Sequence, residues 1–95
     1  MGRLEVVHTM GIADTLKALS DPIRREALEL LKNGRLTAGK LAGKLAVSPA
    51  ALSYHLRLLK AADLVMEYRQ KNCIYYELNT TVLDELVLWI KQLER

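Results

Sequence analysis

The chain has 95 residues, of which 51% are hydrophobic, and it carries a formal net charge of +3. This length supports one compact domain, excludes two domains with separate cores, and favours a homodimer that covers leftover apolar surface. No apolar run approaches the roughly 18 residues of a membrane span, and Met1 to Met10 lack the uninterrupted apolar core of a signal peptide, so we expect a cytoplasmic protein without membrane insertion.

Positive charge is concentrated in the middle of the sequence. The segment from Lys32 to Lys71 contains eight Lys or Arg residues and two acidic ones, for a net charge of +6, whereas the rest of the chain carries −3. A basic centre suits a polyanion, because phosphate contacts supply the sequence-independent part of nucleic-acid affinity. An ordinary solvated basic surface fits the same pattern, so charge alone leaves both interpretations open.

The first half of the chain predicts four helices. Apolar residues at helical spacing end before Ser20-Asp21-Pro22, which supplies a break, an N-cap and a proline suited to the first helical position. The second helix is predicted over about residues 22–33, up to the stop signal Asn33-Gly34. A short third helix starts after Thr37, and a fourth runs from Ser48-Pro49 to about Ala62, so this pair follows the helix-turn-helix pattern. Residues 1–9 are interpreted as an N-terminal extension of a domain spanning 10–95.

The fourth helix has an unusual outward face. Leu52, Leu56 and Leu59 are predicted to face the core. The opposite stripe contains small, aromatic and basic residues and no acid: Ala50, Ser53, Tyr54, Arg57 and Lys60. Because a merely solvated face would usually carry Glu-Lys pairs, this stripe is a candidate binding surface.

The rest of the chain predicts a hairpin and a last helix. Leu64 to Leu78 is rich in strand formers around a polar Gln70-Lys71-Asn72, and Asn72 is predicted to take the positive φ of the turn. Asn79 can cap the last helix, whose apolar face is wider than one small core needs. We assign part of this face to a partner subunit, the alternative being that all of it packs internally.

Three segments, which occur in the family's order along the chain, resemble the arsenic-repressor (ArsR/SmtB) family of bacterial transcription regulators. They are Ala18 to Arg25, Ser48-Pro49 followed by Leu52 to Leu56 and Leu59, and Tyr75 to Leu78. The run Leu78 to Leu83 and Trp89 are most similar to the small, metal-independent autorepressors of the sporulation-delay type. The resemblance implies a mostly α fold with a β-hairpin wing, a homodimeric winged helix-turn-helix of order α-α-α-α-β-β-α. It also implies a repressor that binds double-stranded DNA at an inverted-repeat operator and is not an enzyme.

The resemblance assigns roles to two sets of residues. The fourth helix would be the recognition helix, placed in the DNA major groove. The DNA-binding set comes from the third helix, this recognition helix and the wing: Thr37, Lys40, Ser48, Pro49, Ala50, Ser53, Tyr54, Arg57, Lys60, Arg69, Gln70, Lys71 and Asn72. The dimer-interface set, from the first and last helices, is Ile12, Leu16, Leu83, Leu86, Val87, Trp89, Ile90 and Leu93.

The chain departs from the metal-sensing members of that family. Thr37 and Gly39 stand where many members have a Cys-x-Cys pair, and the last helix has Asp84 and Glu85 but no histidine. His8, His55 and Cys73 are too few for a closed transition-metal site in one chain, so we expect neither a metal nor another cofactor. We interpret His55 as a hydrogen-bonded structural residue and Cys73 as an ordinary strand cysteine without a resolving partner.

Two further hypotheses remain open at this point. Because fold alone does not fix function, the domain could instead be a winged-helix protein-interaction module with little specific DNA binding. A protein anti-repressor, membrane-bound or not, is a candidate partner that would relieve repression by sequestering the dimer.

Overall fold

The computed structural model describes residues 2–94, and side chains from residue 11 onward. Its elements are α1 (Gly2–Leu19), α2 (Pro22–Leu31), β1 (Leu36–Thr37), α3 (Ala38–Leu45), α4 (Pro49–Ala61), β2 (Val65–Gln70), β3 (Cys73–Leu78) and α5 (Thr80–Gln92). The predicted winged helix-turn-helix order is confirmed, with one short strand added. The helical backbone of α1 begins at Gly2, inside the segment interpreted as an extension. None of the described helices has the length and hydropathy needed to cross a membrane.

Side-chain caps fix where four of the helices begin. The Asp21 carboxylate accepts hydrogen bonds from the backbone N–H groups of Ile23 (2.7 Å) and Arg24 (3.2 Å) at the start of α2. Thr37, Ser48 and Asn79 accept from backbone N–H groups in the first turns of α3, α4 and α5. These bonds satisfy donors that a helix start would otherwise leave unpaired. The predicted start positions are therefore confirmed, although α2 ends at Leu31 and not at Asn33.

The wing is a three-stranded antiparallel sheet in the order β1-β3-β2. The two-residue strand β1, in which Leu36 pairs with Tyr76 and Thr37 with Tyr75, was not predicted. Two residues are too few to show the alternating pattern that identifies a strand in sequence. The β2–β3 hairpin closes at the Gln70–Cys73 pair.

The prediction that Asn72 takes the positive φ of the hairpin turn is wrong. Lys71 has a φ of 57°, and Asn72 is not among the residues with positive φ. In both turn types that suit two-residue hairpins, the first central residue has a positive φ, and the second has one in only one of them. Lys71 is that first residue. Asp63, which precedes the wing, also has a positive φ, of 59°.

The core lies between the helices and the inner face of the sheet. Leu41, Leu59 and Leu64 are completely buried, and they join a cluster contributed by α1 through α4 and the sheet. Leu52 and Leu56 are 2% and 4% exposed. The predicted inward face of α4 is therefore confirmed, and its burial turns the opposite face of the helix toward solvent.

Candidate nucleic-acid interface

The turn between α3 and α4 sets the direction of α4. Ala46 takes the left-handed conformation (φ 55°, ψ 45°) and caps the end of α3 through its N–H group. Val47 N–H then donates to the Ala42 carbonyl at 3.1 Å, and Ser48 Oγ accepts from Ala51 N–H at 3.1 Å. Three residues thus separate the two helices in a sharp turn held by these hydrogen bonds, as a helix-turn-helix requires.

The outer stripe of α4 is exposed along its whole length. It contains Ala50, Ser53, Tyr54, Arg57 and Lys60, all of them exposed to solvent. The Arg57 guanidinium carbon lies 5.4 Å from the centre of the Tyr54 ring, a cation–π distance. Because Ala50 and Ser53 are small, the first turns of α4 can approach a partner closely, while Tyr54 restrains Arg57 beside them.

His55 is packed and hydrogen-bonded, as predicted, and its partner is a buried arginine that the sequence analysis did not single out. Arg24 is 6% exposed, and its Nη1 lies 3.0 Å from His55 Nδ1. A guanidinium can only donate, so His55 Nδ1 accepts and the neutral ring carries its proton on Nε2. Arg24 Nε and Nη2 donate to the carbonyls of Ala18 and Lys17 at 2.7 and 3.2 Å. One side chain therefore joins the end of α1 to α4.

Replacing Arg24 with alanine is expected to lower the free energy of unfolding by about 2–4 kcal/mol, because three hydrogen bonds of a charged donor are lost and the Ala18 carbonyl loses its buried partner. Arg25→Ala is a matched control, since Arg25 also donates to a carbonyl at the end of α1, that of Leu19 (2.7 Å), but is exposed. Urea denaturation should show a loss below about 1 kcal/mol for Arg25→Ala. Equal losses in the two variants would contradict this role of Arg24.

The polar end of the hairpin is exposed to solvent. Arg69, Gln70, Lys71 and Asn72 are all exposed, as are Lys40 in α3 and the cysteine that follows the turn, Cys73. Thr37 is half-buried, and its hydroxyl oxygen already accepts from Lys40 N–H. Arg35, one of the basic residues between Lys32 and Lys71, stacks over Tyr68, with its guanidinium carbon 4.7 Å from the centre of the ring. Exposed cations therefore lie on both the helix-turn-helix and the wing.

Lys60 is not a free cation. Its Nζ lies 2.5 Å from Glu67 Oε1 on β2, in an ion pair between the recognition helix and the wing. The hydrogen bond from Lys60 holds the pKa of the Glu67 carboxyl below its ordinary value, and Glu67 raises the pKa of Lys60. No sequence pattern indicates this contact, because the two residues are seven positions apart on different elements.

The predicted dimer residues fall into two groups in the single chain. Ile12 and Leu86 are buried, and Leu83 and Trp89 are half-buried. Leu16, Val87, Ile90 and Leu93 are 47%, 54%, 46% and 64% exposed. These four exposed apolar residues lie in α1 and in or directly after α5, two helices that pack against each other within the chain, and we call them the apolar patch.

Metal-ligating side chains do not gather in the described part of the chain. Among residues whose side chains are described, no group of three or more His, Cys, Asp or Glu residues could hold an ion. The side chain of His8, one of the candidate ligands, lies outside the described residues.

Comparisons with known proteins agree with this architecture. The sequence profile of the family described as "Bacterial regulatory protein, arsR family" matches residues 21–67, from the cap of α2 into β2. The transcriptional repressor SdpR of Bacillus subtilis is 44% identical over 77 residues, which cover 81% of this chain and 86% of that protein.

Solved structures with similar folds include two regulators. An ArsR-like transcriptional regulator from Rhodococcus superimposes with a TM-score of 0.84 at 29% identity, covering 90% of this chain and 81% of the other. The homodimeric winged helix-turn-helix DNA-binding domain of a possible ArsR-family regulator from Mycobacterium bovis superimposes with a TM-score of 0.78 at 25% identity, covering 93% and 84%.

Proposed function

This chain belongs to the arsR family of bacterial regulatory proteins, and from that membership we propose that it is a transcriptional repressor that binds an inverted-repeat operator as a homodimer. The observation that carries the proposal is the outer stripe of α4, which is exposed, free of acidic residues, and supplied with small and hydrogen-bonding side chains. Such a helix fits the major groove, where base edges present distinct patterns of donors and acceptors. We place its action in the cytoplasm, on bacterial DNA.

We assign base contacts to α4 and backbone contacts to its surroundings. Ser53, Tyr54 and Arg57 have the donors and acceptors that direct readout needs, and Pro49 and Ala50 allow the helix start to come close. Phosphate contacts are assigned to Thr37, Lys40, Ser48, Arg69 and Lys71, with Gln70 and Asn72 beside them on the wing. The Thr37 and Ser48 oxygens accept within the fold, which leaves each hydroxyl proton available for a phosphate oxygen.

We further propose that the apolar patch of Leu16, Val87, Ile90 and Leu93 is the dimer interface. Its four side chains are about half exposed or more in the single chain, and a small domain gains stability by covering such surface. A two-fold dimer built on this patch would present two recognition helices to successive major grooves, about 34–36 Å apart. This spacing is the reason for expecting an inverted-repeat operator.

For regulation we propose an autorepressor that responds to a protein and not to a metal. Thr37 and Gly39 replace the thiolate pair of the metal-sensing members, and SdpR, the 44% identical relative, is named a transcriptional repressor. An anti-repressor protein that sequesters the dimer would then relieve repression. Release of operator DNA by a metal ion or small molecule alone, at physiological concentration, would overturn this part of the proposal.

Fluorescence anisotropy with the DNA upstream of the protein's own gene tests the proposed function. Three proposed cationic phosphate contacts in each subunit, Lys40, Arg69 and Lys71, make six in a dimer, so log affinity should fall with log salt with a slope of about −5. Raising the salt from about 50 to 200 mM should weaken binding roughly 1,000-fold. Random DNA is the control and should bind far more weakly. Weak and equal binding to both DNAs would instead favour a protein-interaction module.

A further inference from the structure

An acidic residue lies inside the basic surface assigned to DNA. Glu67 is in β2, where its Oε1 accepts the hydrogen bond from Lys60 Nζ, and its side chain is 25% exposed while that of Lys60 is 46% exposed. Side chains alternate between the two faces of a strand, so Arg69, two residues further along, is on the same face of β2. Glu67 is therefore flanked by two cations, one on the recognition helix and one on the wing.

The remaining neighbours of Glu67 determine on which face of the sheet its side chain lies. It pairs across the sheet with Tyr76, which is 9% exposed and belongs to the core. Cross-strand partners share a face of the sheet, so Glu67 projects on the side that packs against α4. The ion pair with Lys60 consequently connects the last turn of α4 directly to the strand that leads to the wing tip.

We propose that Glu67 is a specificity-determining residue. It connects the recognition helix to the wing through its ion pair with Lys60, and its negative charge opposes nonspecific binding of Lys60 to DNA phosphates. This inference rests on the proposed function, because it concerns the choice between operator and other DNA. Glu67 touches no base in this scheme; it acts through Lys60 as a positioning residue.

The two effects of Glu67 act differently on the two kinds of DNA. Binding to random DNA is governed by phosphate neutralisation, and a carboxylate beside Lys60 and Arg69 opposes it. Binding to the operator also needs α4 in the groove while the wing meets the backbone, and this requires a fixed angle between the two elements. Removing the Glu67 charge should therefore strengthen binding to random DNA. For the operator complex, the same gain in positive charge should be offset by the loss of the fixed angle between α4 and the wing.

Two substitutions separate charge from position. Glu67→Gln removes the negative charge, and Glu67→Asp keeps the charge but is one methylene too short to maintain the contact with Lys60. Exposed ion pairs contribute little to stability, so both variants should fold, and circular dichroism checks this. Anisotropy titrations on operator and random DNA at one salt concentration give the affinity ratio for each variant.

For Glu67→Gln we expect about two- to fivefold tighter binding to random DNA, operator binding no tighter than wild type, and a salt slope steeper by about 1 in each subunit. Glu67→Asp leaves a carboxylate near Lys60 and Arg69 and so keeps the local net charge; for this variant we expect unchanged binding to random DNA and about threefold weaker operator binding, as for loss of one exposed ion pair. If Glu67→Gln tightens both DNAs equally, or both variants keep the wild-type ratio, the proposal is wrong. Failure of the proposed function would look different, since the wild-type protein itself would bind both DNAs equally.

Discussion

Val87→Glu is expected to prevent dimer formation and to weaken operator binding at least about 100-fold. Val87 is 54% exposed and lies in the apolar patch of α1 and α5. In a two-fold dimer the substitution occurs twice in one interface, so two carboxylates would be buried without partners, close to each other. Burying an unpaired charge costs several kcal/mol, and two of them in one interface are expected to dissociate the dimer.

The loss of operator affinity follows from the geometry of two linked sites. A dimer holds its second recognition helix at a high effective concentration near the second half-site, a gain of about 10²- to 10⁴-fold over one helix alone. A monomer retains only the contacts of one half-site. Sedimentation equilibrium measures the mass of each variant, and anisotropy measures its affinity for the operator.

Leu88→Glu is the matched control for this substitution. Leu88 is 57% exposed, as much as Val87, but at 100° per residue it falls on the stripe of Asp84, Gln92 and Lys91, away from Leu83 and Ile90. We expect this variant to remain a dimer with wild-type operator affinity. A dimeric Val87→Glu protein, or equal damage from both substitutions, would show that the interface lies elsewhere.

Local sequence signals were enough to predict most helix starts and the recognition helix. Ser48-Pro49 and Asp21-Pro22 combine a side-chain cap with a proline whose missing N–H costs nothing in the first turn, and the structure begins a helix after each pair. The leucines at positions 52, 56 and 59 recur at helical spacing and are all buried. These features depend on residues close in the chain, so the sequence alone carries them.

The features that were missed depend on residues far apart in the chain. β1 exists only because β3 pairs with it, since two residues have no pattern of their own. The Arg24–His55 contact joins residues 31 positions apart. Its donor is a buried arginine, and because arginines are usually exposed, the sequence does not predict one in this place. The Lys60–Glu67 pair likewise arises from packing of β2 against α4. Tertiary structure therefore places Lys60, one residue of the predicted DNA-binding set, in an internal ion pair.

The second large effect is expected from Arg57→Ala, which should reduce operator affinity roughly 30-fold or more while changing random-DNA affinity by less than about fivefold. Arginine reads guanine through two hydrogen bonds, each such contact being worth about 1–3 kcal/mol of discrimination, and the dimer makes it twice. The Tyr54 ring, 5.4 Å from the Arg57 guanidinium carbon, favours one placement of Arg57 before binding, which removes part of the entropy cost of meeting a base.

Arg69→Ala distinguishes base reading from phosphate binding in the same anisotropy titrations. Arg69 is also an exposed arginine, but it lies in the wing, where we assign it to the backbone. Its removal should weaken operator and random DNA by similar factors and reduce the salt slope by about 1 in each subunit, because a phosphate contact carries no sequence information. Should Arg57→Ala behave in the same way as Arg69→Ala, α4 would supply charge and not sequence recognition. The specificity would then have to come from another surface or from the shape of the DNA.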